Sequence, residues 1–226
     1  MREIVDGVFE LGLGFVNMHL VVTDDGVVLV DTGLPRRSKQ IERALRDIRK
    51  QIGDVRTILL THHHFDHIGS VADLRQRSGA RVIAHAADAP VITGAIRAEP
   101  TGFLPRLIGR VMRAEPTKVD QLITADESEP IPGFTAVHTP GHTRGHVSYL
   151  LDRAGGVLFA GDTAGGKNGA VVSGPAQVSD DPAEQDRSIA KLATHTFEYA
   201  VFGHGGAVKG QAVDRFREYA SALPGD

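Results

Sequence analysis

The chain has no cysteine in its 226 residues. That absence excludes disulfides and thiolate metal ligands, so a metal site here would have to be built from nitrogen and oxygen donors. Basic charge is not in surplus either. Against 25 Lys and Arg stand 28 Asp and Glu, a net charge of −3 that offers no electrostatic footprint for nucleic acid. No apolar run is long enough to span a membrane, and the opening Met1-Arg2-Glu3-Ile4-Val5-Asp6 carries no apolar signal segment. A cytoplasmic protein without membrane or nucleic-acid partners is the simplest expectation. There is no residue-level repeat, no low-complexity tract, and no Ser nucleophile in a triad-like arrangement. A chain of this length can bury a core of its own and suits a single α/β enzyme domain over residues 1–226.

What the sequence does have is histidine in an unusual place. Thr61-His62-His63-His64-Phe65-Asp66-His67 sets imidazoles and a carboxylate in the pattern His-x-His-x-Asp-His. Such groups are costly to bury unless paired or bound to metal. Divalent zinc or iron accepts both donor types. Val55–Leu60 before the cluster reads as a buried strand, and Ile68–Ser78 after it carries Ile68, Val71, Ala72 and Leu74 at helical spacing. The cluster therefore falls on a strand-to-helix loop held by rigid elements. His62 and His64, two apart on extended backbone, point the same way and can share one metal, while His63 points elsewhere. Asp66 and His67 follow as the chain turns and can aim at a second metal.

Three later segments each present one His or Asp beside Gly at a turn or strand end: Pro140-Gly141-His142-Thr143, Ala160-Gly161-Asp162-Thr163 and Phe202-Gly203-His204-Gly205. Gly there allows close backbone approach. These segments are expected to converge on one sheet edge. Of the remaining histidines, His85, His138 and His146 read as structural, His195 as a surface cap, and His19 as a residue on an early strand that could approach the site.

Together with Leu29-Val30-Asp31-Thr32-Gly33, these motifs resemble the metallo-β-lactamase fold superfamily over nearly the whole chain. The resemblance implies a four-layer αββα sandwich with two metals at one edge. It implies that His62, His64 and His142 hold the first metal, that Asp66, His67 and His204 hold the second, and that Asp162 bridges them. Asp31 would orient a ligand histidine by hydrogen bonding. Where some secreted β-lactamases of this kind use a Cys ligand on the second metal, the chain has Asp66. The ions expected are two divalent metals, zinc first, with iron or a zinc–iron pair as alternatives.

A metal pair about 3.5–4 Å apart can share a bridging hydroxide that attacks an electrophilic carbonyl. Asp66 is then a candidate to accept the water proton. The expected activity is a binuclear hydrolase cleaving an ester-like, lactone, thioester or lactam bond of a small-molecule substrate. The alternatives are a mononuclear iron oxygenase resembling persulfide dioxygenases and a non-catalytic binding protein on the same fold. Only residues 205–226 follow His204, short for the helical substrate domain of glyoxalase II-like thioesterases, and Tyr199 alone lies where lactonases keep a tyrosine.

Strands are expected at Val8–Leu11, Met18–Val22 and Val27–Val30, the last two joined by an Asp24-Asp25-Gly26 hairpin turn. Helices are expected at Ser38–Gln51, Pro182–Thr194 and Ala207–Ala220. A helical insertion near 91–118 places Leu104, Leu107, Ile108, Val111 and Met112 on one face and Arg106, Arg110 and Arg113 on the other. It could pack on the core, cover the pocket, or form a homodimer contact.

Overall fold

The computed structural model describes residues 1–97 and 113–223, which form two compact units divided between Leu122 and Ile123. In the first unit, strands β1 (Arg2–Val5), β2 (Val8–Gly12), β3 (Asn17–Thr23), β4 (Gly26–Val30), β5 (Val55–Leu59), β6 (Arg81–His85) and β7 (Gln121–Ile123) lie side by side in chain order. The first four form an antiparallel meander, and β4, β5 and β6 run parallel. The expected hairpin is there, with Thr23 opposite Gly26 across an Asp24-Asp25 turn. Parallel pairing needs crossovers. Helix α1 (Ser38–Asp47) supplies the first, and α2 (Phe65–Ile68) with α3 (Val71–Ser78) the second.

Alternation along the strands turns Met18 and Leu20 of β3 and Val27 and Leu29 of β4 toward Ile41, Ala44 and Leu45 of α1 and Val71 and Leu74 of α3. Each such side chain taken fully out of water contributes roughly 1.5–3 kcal/mol. Arg75 of α3 grips Asp120 with two hydrogen bonds of 3.2 and 2.9 Å, and Asp120 also accepts the Val82 N–H at 3.0 Å. This ties the segment leading to β7 onto β6.

The single helix predicted over 68–78 is two helices. Gly69 and Ser70 interrupt it because the loop after β4 passes directly against them. A Cβ on Gly69 would stand 2.2 Å from Pro35 N and 2.4 Å from Leu34 C, while Ser70 Oγ donates to Leu34 O at 2.8 Å and accepts the Arg37 N–H at 2.9 Å. The apolar spacing ran through the break because both halves face the same core.

Helix α4 (Ala89–Ile92) opens the insertion, and the Thr117 N–H returns to Ile92 O at 3.0 Å, so the two ends of the insertion meet. The helix predicted across Leu104–Met112, with any lid or dimer contact it would make, lies outside the described residues.

The second unit has a six-stranded sheet in the order β15 (Val208–Lys209), β14 (Tyr199–Val201), β11 (Val157–Phe159), β10 (Val147–Leu151), β9 (Phe134–His138) and β8 (Glu127–Ile131), with a small separate hairpin of β12 (Gly165–Lys167) and β13 (Ala170–Val172). Helices α5 (Pro182–Leu192) and α6 (Ala212–Ser221) cover one face through Ile189, Leu192, Val213 and Phe216. Phe216 meets Phe197 edge-on at 5.2 Å and stacks on Phe202 at 6.3 Å. The last helix starts later than its expected Ala207, because Val208 and Lys209 pair with β14. Each unit is thus built on one large sheet covered by helices of its own, the α/β make-up expected. No helix among the described residues is long and apolar enough to cross a membrane.

Candidate metal centre

In the first unit, the His cluster sits where β5 ends and α2 begins. Its organiser is Asp31, just past β4. Asp31 Oδ1 accepts the Thr61 N–H at 2.8 Å. Its Oδ2 accepts the Thr61 hydroxyl and the His67 Nδ1–H, each at 2.8 Å. An ionised carboxylate only accepts, so His67 must carry its proton on Nδ1, and its Nε2 holds a lone pair. The Thr61 hydroxyl hydrogen is directed at Asp31. Its oxygen can therefore only accept from His62 Nδ1, 3.0 Å away, and this sets His62 in the same tautomer. One buried carboxylate leaves the Nε2 atoms of two imidazoles with lone pairs.

The backbone at Asp31 is in the left-handed region at φ 62°, which Asp tolerates better than most side chains. Thr32 compensates by holding His67 O with both its N–H at 2.7 Å and its hydroxyl at 2.9 Å. The His62 ring lies 4.7 Å from that of His64 and 4.1 Å from that of His67, so the three imidazoles form one cluster. The buried Asp66 brings Oδ2 to 4.0 Å from His67 Nε2. His63 is held on the buried Asp88, which accepts its backbone N–H at 2.9 Å and stands 3.0 Å from its Nδ1.

In the second unit, one carboxylate oxygen collects two imidazoles. Asp162 Oδ2 lies 3.5 Å from His142 Nε2 and 3.2 Å from His204 Nε2. His142 is buried and His204 is 40% exposed. The loops carrying Asp162 and His204 are laced by backbone bonds: Gly203 N–H to Gly161 O at 2.9 Å and Gly206 N–H to Gly166 O at 2.9 Å. The Asp162 peptide is held at both ends. His146, fully buried, accepts the Asp162 N–H on Nε2 at 3.0 Å, so its proton is on Nδ1, facing the hydroxyls of Thr139 and Thr163 at 2.9 Å each. Gln185 donates its amide to Asp162 O and Thr163 O, both at 2.9 Å.

In the first unit the facing groups of His67 and Asp66 fit a cation. His67 presents a lone pair on Nε2 to the carboxylate of Asp66. Acceptor facing acceptor is unfavourable unless a cation or a hydrogen-bond donor lies between them, and a cation suits this donor set. Imidazole and carboxylate donors without thiolate suit zinc or iron.

The other histidines are placed as follows. His19 is buried opposite Glu10 on β2, with Nε2 3.8 Å from Oε2. Burial would raise the Glu10 carboxyl, but His19 and Arg2 outweigh it and hold it below the ordinary range. His85 accepts the Ala87 N–H at 3.2 Å, His138 Nε2 donates to Arg144 O at 2.9 Å, and His195 lies 3.5 Å from Glu127. The sequence reading missed Thr61, Asp88, Thr139, Ser179 and Gln185. For Gln185 a signal existed: it lies on the same buried stripe as Ile189 and Leu192, where an unpaired amide would be costly.

Comparison with known proteins adds a second line. The profile of the metallo-beta-lactamase superfamily matches residues 11–204, a span that takes in both units and every candidate ligand. A probable metallo-hydrolase of Bacillus subtilis, YflN, is 28% identical over 229 residues, covering 90% of this chain and 85% of its own length. A hydroxyacylglutathione hydrolase of Xanthomonas axonopodis pv. citri is 33% identical over 144 residues, 64% of this chain but only 44% of that protein. Among solved structures, a Cronobacter sakazakii metallo-beta-lactamase with a HARLDQ motif superposes with a TM-score of 0.75 at 23% identity, covering 98% of this chain and 91% of its own; at that identity the likeness shows the fold.

Proposed function

Because the chain belongs to the metallo-β-lactamase superfamily, we propose that its two units act as one domain over residues 1–226 and carry a dinuclear metallo-hydrolase site. In this reading His62, His64 and His142 hold one divalent ion, Asp66, His67 and His204 hold the other, and Asp162 touches both. The observation that carries it is the Asp162 carboxylate oxygen standing 3.5 and 3.2 Å from two imidazole Nε2 atoms, as a ligand shared between two metals requires.

Zinc ions bound there would supply a lowered water pKa and Lewis-acid polarisation of a substrate carbonyl. The chain's own residues do the rest. Asp31 and Thr61 keep His67 and His62 in the ligating tautomer. Asp66, buried beside His67, takes up the proton released by the attacking water and returns it to the leaving group. His204, the half-exposed ligand, marks the side from which a small-molecule substrate reaches the site. The bond cleaved is an ester-like, lactone, thioester or lactam bond, attacked at its carbonyl carbon. Likeness to a hydroxyacylglutathione hydrolase supports including thioesters.

The test is a panel of those bond classes, with phosphodiesters as controls, assayed on zinc-loaded and chelator-treated protein. Hydrolysis in at least one carbonyl class, abolished by chelation and restored by zinc, is the expected result. Loaded protein inert toward all of them, or iron-loaded protein that consumes dioxygen instead, would overturn it.

A further inference from the structure

We infer that Gln185 and Ser179 form a brace that sets the tautomer of His142 and the aim of Asp162 together, so that both are positioning residues of the metal centre. This inference rests on the proposed metal site and extends it to residues outside the family motifs.

The chain of hydrogen-bond directions has one solution. Two carbonyl oxygens, Asp162 O and Thr163 O, face the Gln185 amide at 2.9 Å, so its NH2 end must point at them. Its carbonyl oxygen must then point the other way, and there it meets the Ser179 hydroxyl. The Ser179 hydrogen is spent on Gln185. Its oxygen can only accept from His142 Nδ1, at a long 3.4 Å, which leaves His142 Nε2 with a lone pair on the side of Asp162.

The surrounding backbone forces this arrangement. The Asp180 N–H binds His142 O at 3.2 Å, the Asp181 N–H binds Gly141 O at 2.8 Å, and Ser188 Oγ donates to Pro140 O at 2.6 Å. A Cβ on Gly141 would stand 2.2 Å from Gln185 N, so only glycine lets the turn before His142 approach helix α5 this closely. Gln185 is fully buried with its amide donors and acceptor matched. A side chain needed only to pack the helix would not require an amide there, since a methionine or leucine would fill the space without desolvating one. Asp31 and Thr61 do the same for His67 and His62 in the other unit, by the same logic of donors exhausted on a fixed acceptor.

The test compares wild type, Ser179→Ala and Ser179→Thr in the full chain, each stripped of metal and titrated with cobalt(II) against a competing chelator while the visible absorption bands are recorded. Ser179 is only half-buried, so its alanine variant should fold, with the metal-free melting temperature within about 2 °C of wild type. The expected result is an apparent cobalt affinity about tenfold lower at one site, with altered absorption bands, and recovery of both in Ser179→Thr. Gln185→Glu, which sets a carboxylate oxygen against two carbonyls, should show the same spectral change more strongly. A Ser179→Ala variant that titrates like wild type, or a loss that threonine does not repair, would overturn the brace. A wild-type chain that binds no cobalt would overturn the metal reading itself, and is distinguishable because no variant comparison is then needed.

Discussion

Replacing Asp31 with Asn isolates the polarity of one buried side chain. Asn occupies the left-handed backbone at φ 62° as readily as Asp and has the same shape, so neither strain nor packing changes. The hydrogen bonding does change. If the NH2 takes the place of Oδ1, it meets the Thr61 N–H, donor against donor. If it takes the place of Oδ2, it meets both the Thr61 hydroxyl and His67 Nδ1. The first orientation is the less costly one. It strands one buried donor, for about 1–3 kcal/mol, and turns two charge-assisted bonds into neutral ones, for about 1 kcal/mol more. A total near 3 kcal/mol corresponds to a fall of about 6–12 °C in melting temperature for a chain of this size. Zinc affinity should fall about ten- to hundredfold, since His67 is no longer held by a charge. Melting in chelator and zinc competition measure the two effects separately. An Asp31→Asn protein with wild-type melting temperature and wild-type zinc affinity would refute the tautomer argument.

Three further outcomes are expected. Asp162→Ala should lose both bound metal and hydrolysis; retention of two metals with normal turnover would remove the bridging role. His62→Ala and His64→Ala should lose metal while His63→Ala keeps it, because His63 is held on Asp88; elemental analysis of the three variants decides, and loss in the His63 variant alone would mean the cluster is in another register. Asp120 is held well below the usual carboxylate range, chiefly by the Arg75 guanidinium, with the Val82 N–H and Lys118 adding to it. Its folded pKa is depressed, so its contribution to stability is present above about pH 4 and is lost as pH falls below that. Asp120→Asn should therefore lower stability by about 1.5–3 kcal/mol at pH 7, and the gap from wild type should narrow toward pH 3; a gap independent of pH would contradict it.

The parts of this architecture that show in the sequence are those with a local period or an unusual local density. Strands β3 and β4 show as apolar runs around an Asp-Asp-Gly turn, α1 as a stripe at Ile41, Ala44 and Leu45, and the His62–His67 cluster as chemistry too dense for a fold to need. The break at Gly69 did not show, because its cause is the loop at Leu34 and Pro35, distant in sequence and adjacent in space. Strand β15 did not show because two residues have no period, and their pairing with β14 decides against helix. The hydrogen bonds that set the histidine tautomers are the least legible. Thr61 acts through Asp31, 30 positions away, and Gln185 through Asp162, 23 positions away, each as a single polar residue whose meaning depends on what it faces. The motif names the ligand candidates, and long-range polar contacts aim them.

The most direct test of the central claim is a count of metal per chain, by elemental analysis of protein purified without added metal and again after zinc reconstitution. About two divalent ions per chain are expected after reconstitution, zinc being accepted, with hydrolysis appearing only as the second is bound. One iron per chain with no further zinc uptake, or no metal retained at all, would contradict it.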